Sequence, residues 1–167
     1  RVAEMFFPEL CEKNSDPRAR LHFTDGIKWV ADAKPGSYDV IIVDSTDPVG
    51  PAEGLFSETF YKNCHRALRP HGIVVGQSES PLFHPDLIVA MHKAMRDAGF
   101  NDTATLQFHQ VTYPSGWWSC TMAGKDAALD GFREDAAKAR DFATRYYNAA
   151  IHNAARALPE FLVQALR

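Results

Sequence analysis

Two carboxylates, Asp44 and Asp47, directly follow the apolar run Tyr38-Asp-Val-Ile-Ile-Val43. The run reads as a buried parallel strand, and open α/β sheets bind ligands beyond the C-terminal ends of such strands. A rigid strand would thus deliver a short anionic corner to the place where ligands sit. Two anions in a low-dielectric cleft attract a dication more strongly than either does on a surface, so the corner points to a polycation such as a polyamine. Asp44 is the first polar residue off the strand and the candidate for holding an attacking amine. Asp47 precedes Pro48, and Asp-Pro is a frequent turn starter, so it has a structural reading beside the functional one.

A second polar group stands after Ile73-Val-Val-Gly76, where Gln77 and Glu79 follow another apolar run. Gln77 falls at the same edge of the sheet as Asp44, so a substrate contact there is geometrically reasonable. Glu79 is balanced between contact and loop residue.

The elements that must position these residues follow a βαβ rhythm. Leu21-His-Phe-Thr24 alternates briefly and reads as a strand turning at Asp25-Gly26 into a helix with Ile27, Trp29, Val30 and Ala33. Lys34-Pro-Gly-Ser37 breaks the chain before the Tyr38 strand. Ser57 is the N-cap of a helix bearing Tyr61, Cys64 and Leu68, stopped by Pro70 and Gly72. His84-Pro85 opens another helix with an apolar stripe of Ile88, Met91, Met95 and Ala98, closed by Gly99. Residues 103–113 and 117–122 read as an antiparallel pair at the edge of a mostly parallel sheet, joined through Pro114-Ser-Gly116. Trp117 and Trp118 read as packing within that pair. The last forty or so residues are Ala- and Arg-rich and read as helical. The fold class is α/β, the later part of a Rossmann-like, methyltransferase-type sheet, in a single domain over residues 1–167.

These segments, in this order, resemble the spermidine synthase (polyamine aminopropyltransferase) family: Asp25-Gly26, Asp44-Ser-Thr-Asp-Pro-Val-Gly-Pro51, Leu55-Phe56, Gln77, Thr112-Tyr-Pro-Ser-Gly116, Arg145-Tyr-Tyr-Asn148, Ile151-His152 and Leu158-Pro159. The resemblance implies transfer of an aminopropyl group from decarboxylated S-adenosylmethionine, a co-substrate, to putrescine, yielding spermidine and methylthioadenosine. It implies that Asp44 is the catalytic base and that Asp44, Ser45, Thr46, Asp47, Gln77 and Tyr113 bind the polyamine. Asp25 and Gly26 resemble adenine contacts, with Pro51 and Leu55 on an irregular loop forming the apolar wall of the nucleoside pocket. His152, Tyr146 and Tyr147 match a C-terminal signature assigned to structure or assembly. A homo-oligomer, dimer or tetramer, is also implied. Against the family pattern, residues 1–10 look like the end of a helix already under way. A small β-domain, the glycine-rich loop and two strands would precede them, leaving an exposed sheet edge.

Composition excludes several classes. The net charge of −3 offers no basic face to nucleic acid, and no apolar run approaches the roughly 18 to 20 residues of a membrane span. No charged-then-apolar leader opens the sequence. Cys11, Cys64 and Cys120 lack metal or redox spacing and read as buried side chains in a reducing, cytoplasmic setting. The histidines show no helical zinc spacing, so no metal and no permanently bound cofactor are expected. Two rivals stay open: a related spermine or thermospermine synthase or putrescine N-methyltransferase, and a non-catalytic fragment that only assembles with another chain.

Overall fold

A computed structural model describes residues 2–167. Arg1, placed by the sequence in an opening helix, lies outside the described residues. The rest of that segment forms two short helices, α1 (Val2–Phe6) and α2 (Pro8–Cys11). Pro8 disfavours helical geometry at Phe7, whose φ of −139° and ψ of 53° break the run.

The sheet has four strands in the order β1-β2-β4-β3: β1 (Tyr38–Val43), β2 (Leu68–Gln77), β3 (Asp102–His109) and β4 (Trp117–Gly124). β1 runs parallel to β2, while β4 pairs antiparallel with both β2 and β3. The α/β class with an antiparallel hairpin at one edge is therefore present, as a mixed sheet. Three helices line one side: α3 (Gly26–Asp32), α4 (Glu58–Ala67) and α5 (Pro85–Asp97). Ser57 caps α4 by accepting from the Phe60 amide. Phe60, Tyr61 and Cys64 of α4 meet Met91 and Met95 of α5 over Val74 and Ala123 of the sheet. Gly99 takes a φ of +100° to end the α5 turn, a conformation that carries no Cβ penalty only for glycine. The C-terminal stretch holds α6 (Glu134–Lys138), α7 (Ala149–Arg156) and α8 (Glu160–Ala165), with irregular backbone between α6 and α7.

Four sequence expectations need correction. Residues 21–24 form no strand: no described strand lies beside β1 on that side to pair with them, and Phe23 is 97% exposed. β1 is an edge strand rather than a buried one. Ile41 and Val43 face the core, whereas Val40 and Ile42 are 54% and 73% exposed on the other face. β2 begins at Leu68, straight from the C-cap of α4, because Leu68 pairs with Tyr38 before an irregularity that accommodates Pro70 and His71. Of the cysteines only Cys64 is buried; Cys11 and Cys120 are half-buried.

Candidate active site

The parallel register aligns Val43 with Gly76, so Asp44 and Gln77 leave the sheet side by side. The antiparallel register sets Gln77 opposite Cys120, and Trp118 opposite Phe108. The C-terminal ends of β1, β2 and β3 and the start of β4 thus share one rim. At this rim lies a cavity of about 1010 Å³. Its lining includes all six residues expected at the polyamine site: Asp44, Ser45, Thr46, Asp47, Gln77 and Tyr113. Both aspartates are solvent-exposed, on the wall of the cavity rather than under it.

Tyr113 is not on a strand. It sits in the hairpin loop, where Tyr113 N–H donates to Gln110 O and Gly116 N–H donates to Tyr113 O. Ser115 and Gly116 take φ of +72° and +63°, and the Ser115 hydroxyl bonds that of Ser80 at 2.9 Å, tying this loop to the one after β2. The Tyr113 ring stacks on Trp118 at 4.4 Å with a 21° tilt. Trp118 in turn donates its indole N–H to Gln77 Oε1 at 3.0 Å. The expectation that Trp118 is packing is half of the answer: it is 7% exposed, yet it lines the cavity and holds two site residues. Phe108, Gln110 and Cys120 also line it. They come from the β3–β4 hairpin, far along the chain from Asp44, and no local motif marks them.

Glu79 is not part of that lining but is joined to it through Gln77. It is 3% exposed, stands at φ +66°, and accepts from Gln77 Nε2 at 3.2 Å. Burial first, then a hydrogen bond to the Asp47 carboxyl, push its own carboxyl up to about 7, against the pull of Gln77. Glu79, balanced by the sequence between contact and loop residue, is a buried carboxyl bonded to Gln77, and its left-handed backbone carries strain.

A second cavity of about 410 Å³ is lined by Asp25, Gly26, Pro51 and Leu55, the four residues expected at the nucleoside site, together with Ile27, Thr46, Val49 and Ala52. Asp25 is the N-cap of α3: its Oδ1 accepts from Ile27 N–H at 2.9 Å and Lys28 N–H at 3.3 Å. That leaves Oδ2 outside the cap. Pro51 and Leu55 lie in a 3₁₀ helix, Gly50–Phe56, instead of irregular loop, with Pro51 near its start where a fixed φ helps. Thr46 and Val49 line both cavities.

Among the described residues no group of three or more His, Cys, Asp or Glu is set to hold a metal, and no helix is long and apolar enough to cross a membrane. At the C-terminal signature His152 stacks on Phe132 at 3.8 Å and meets the Tyr147 hydroxyl at 3.3 Å, a local packing cluster away from both cavities.

Comparison with known proteins follows the same lines. Residues 1–131 match the spermine/spermidine synthase domain. The chain belongs to that family. It is similar to the polyamine aminopropyltransferase of Methylococcus capsulatus, 66% identical over 167 residues, covering 100% of this chain and 58% of that protein. The counterpart in Thioalkalivibrio sulfidiphilus is 60% identical, covering 99% of this chain and 59% of that one. The chain thus spans under three fifths of these curated relatives. Among solved structures, a spermidine synthase in complex with the transition-state analogue AdoDATO superposes with a TM-score of 0.89 at 30% identity, over 99% of this chain and 57% of that one. The spermidine synthase of Thermotoga maritima gives 0.86 at 30% identity, over 99% and 56%.

Proposed function

We propose that this family member transfers an aminopropyl group from decarboxylated S-adenosylmethionine to putrescine, releasing spermidine and methylthioadenosine. The observation that carries the reading is the single loop after β1. Asp44 to Asp47 wall the acidic cavity, Pro51 and Leu55 wall the apolar one, and Thr46 and Val49 serve both. An acceptor amine and a nucleoside donor held in adjoining cavities meet across that loop.

The transfer is a displacement. A neutral amine nitrogen attacks the methylene carbon bonded to the sulfonium, the carbon–sulfur bond breaks, and its electron pair stays on the sulfur of methylthioadenosine. An alkyl amine with a pKa of about 10.4 is protonated at pH 7, so freeing the nucleophile costs roughly 4 to 5 kcal/mol. In this reading Asp44 binds that nitrogen and takes its proton, while Asp47 holds positive charge and Tyr113 and Gln77 orient the chain of the diamine. Asp25, Gly26, Pro51 and Leu55 hold the nucleoside. No permanent cofactor takes part, and a cytoplasmic homo-oligomer belongs to the same proposal.

The test is Asp44→Asn in the full-length protein, with decarboxylated and intact S-adenosylmethionine as donors and putrescine and spermidine as acceptors. Loss of general-base help lowers turnover about 10²- to 10⁴-fold with the fold intact by circular dichroism. Near-normal turnover removes Asp44 from its role, and a preference for the intact donor redirects the reading to N-methylation.

A further inference from the structure

Where α5 packs on the hairpin strands, the covered face of the sheet carries hydroxyls in place of apolar side chains. Strand register sets Thr105 of β3 across from Thr121 of β4, and Thr103 and Ser119 stand two residues along on the same face. Ser78, Ser119 and Thr121 are fully buried, and Thr105 and His92 of α5 nearly so. Their side chains form one unbroken chain of hydrogen bonds. His92 meets Thr103 Oγ1 through Nδ1 and Thr105 Oγ1 through Nε2, each at 2.8 Å. Thr105 then bonds Thr121 at 3.0 Å, Thr121 bonds Ser78 at 3.0 Å, and Ser78 bonds Ser119 at 2.8 Å. One end of the chain is Arg96, whose Nη1 donates to Thr103 Oγ1 at 3.3 Å. The other is the Ser119 hydroxyl, which donates to the carbonyls of Glu79 at 2.8 Å and Ser78 at 3.2 Å.

The two ends fix the direction of every bond between them. A carbonyl only accepts, and a hydroxyl has one hydrogen to give. Ser119 turns its hydrogen to the carbonyls, so Ser78 donates to Ser119, Thr121 to Ser78 and Thr105 to Thr121. Thr105 then has no hydrogen left for His92, and the ring must donate from Nε2. At the far end a guanidinium only donates, so Thr103 accepts from Arg96 and gives its own hydrogen to a bare Nδ1. Both ends impose the same sense. It requires a neutral ring, and burial, with Arg96 adding to it, keeps His92 neutral by pushing its pKa down to about 4.

We propose that this one-way chain, from α5 to the turn after β2, positions the acceptor side of the site. This rests on the aminopropyl-acceptor reading of the acidic cavity. Glu79 stands at φ +66° with its carbonyl held by Ser119, while its N–H donates to Gln77 Oε1 at 3.2 Å. Gln77 in turn lines the cavity. The Ser119 hydroxyl stays aimed at Glu79 because each hydroxyl behind it is already committed to the next. Linked hydrogen bonds polarise one another, and a buried hydroxyl that loses its partner finds no water to replace it. Thr105, Thr121, Ser78 and Ser119 are thus positioning residues that act through Glu79 and Gln77. None of the four lines the acidic cavity or the one around Asp25.

The experiment compares Thr121→Val with Thr121→Ser in the full-length protein. Valine keeps the shape and breaks the chain, whereas serine keeps the hydroxyl. In Thr121→Val, kcat/KM for putrescine falls about 2- to 13-fold, the range for one neutral hydrogen bond, while the donor KM stays level. Thr121→Ser recovers most of that loss. Nitrogen NMR of His92 reads the sense of the chain directly. Wild type shows the Nε2–H tautomer; in Thr121→Val the Thr105 hydrogen has lost its acceptor and turns to Nε2, so the Nδ1–H tautomer appears. A purely structural role for Thr121 does not move that signal. If Thr121→Val does not fold, Ser78→Ala interrupts the chain one hydroxyl further on and carries the same expectations. An Nδ1–H tautomer in wild type, or a tautomer that the break leaves unchanged, overturns the inference. So do unaltered putrescine kinetics, a loss shared equally by donor and acceptor, or a serine variant as impaired as the valine one. Each of these leaves the polyamine reading intact. Absence of putrescine turnover in wild type overturns that reading and the inference together.

Discussion

Replacing Trp118 with Phe separates two jobs that one side chain performs. Phenylalanine keeps a ring to stack on Tyr113 but has no N–H for Gln77 Oε1, which now receives a bond at 3.0 Å. The Glu79 amide at 3.2 Å is then the donor left to Gln77 Oε1, beside the bond from Gln77 Nε2 to Glu79 Oε1. A neutral hydrogen bond is worth about 0.5 to 1.5 kcal/mol, which corresponds to a loss of about 2- to 13-fold in the correctly oriented amide. Trp118→Leu also removes the stack, worth about another 0.5 to 1.5 kcal/mol, for a combined loss of about 5- to 160-fold. Steady-state kinetics on the full-length protein reads this as a fall in kcat/KM for the diamine in the order wild type, Phe, Leu. The donor KM stays level, because Trp118 lines the acidic cavity and not the one around Asp25. Unchanged acceptor kinetics in Trp118→Phe refutes the reasoning. So does a loss that falls equally on donor and acceptor, which marks general unfolding.

Two further outcomes follow from other parts of the structure. His92 is buried between the hydroxyls of Thr103 and Thr105, at 2.8 Å from each, and burial, with Arg96 adding to it, depresses its pKa to about 4. Between that value and its ordinary 6.5 the unfolded chain binds the extra proton. The His92 contribution is therefore complete above pH 6.5 and lost as pH falls toward 4, by up to about 3 kcal/mol. Urea midpoints against pH measure it, and His92→Gln flattens the slope; an unchanged slope contradicts the assignment. Gly54→Ala places a methyl 2.7 Å from Ile27 Cδ1, the movable end of a side chain that lines the cavity around Asp25 proposed to hold the nucleoside. The fold survives at a cost of about 1 kcal/mol, while methylthioadenosine binds more weakly by calorimetry; equal affinity shows that Ile27 does not reach the ligand.

Much of the site was legible because its chemistry is contiguous. Asp44 to Asp47 leave the sheet together, Asp25 caps the helix that begins at the next residue, and Ser57 does the same for α4. Strand, turn and cap signals depend on neighbours within a few residues, and those neighbours are in the text of the chain. The same locality explains the failures. Residues 21–24 alternate like a strand but have no strand among the described residues to pair with, and the apolar β1 has one face uncovered. Burial is a property of what lies across from a segment, and alternation within it says only which residues would be covered.

By itself the sequence determined that two carboxylates stand at the end of a strand, that the fold is α/β with an edge hairpin, and that the chain resembles the polyamine aminopropyltransferases. Tertiary structure alone decided that Trp118 clamps Gln77 from 41 residues away and that Ser80 is tied to Ser115. It alone decided that Glu79 lies out of water with its carbonyl held by Ser119. The physical reason is that a side chain's type is covalent and local, whereas its protonation and its orientation depend on charges, dipoles and solvent within a few ångströms. Which groups come that close is set by strand register, and register exists only once the sheet has formed.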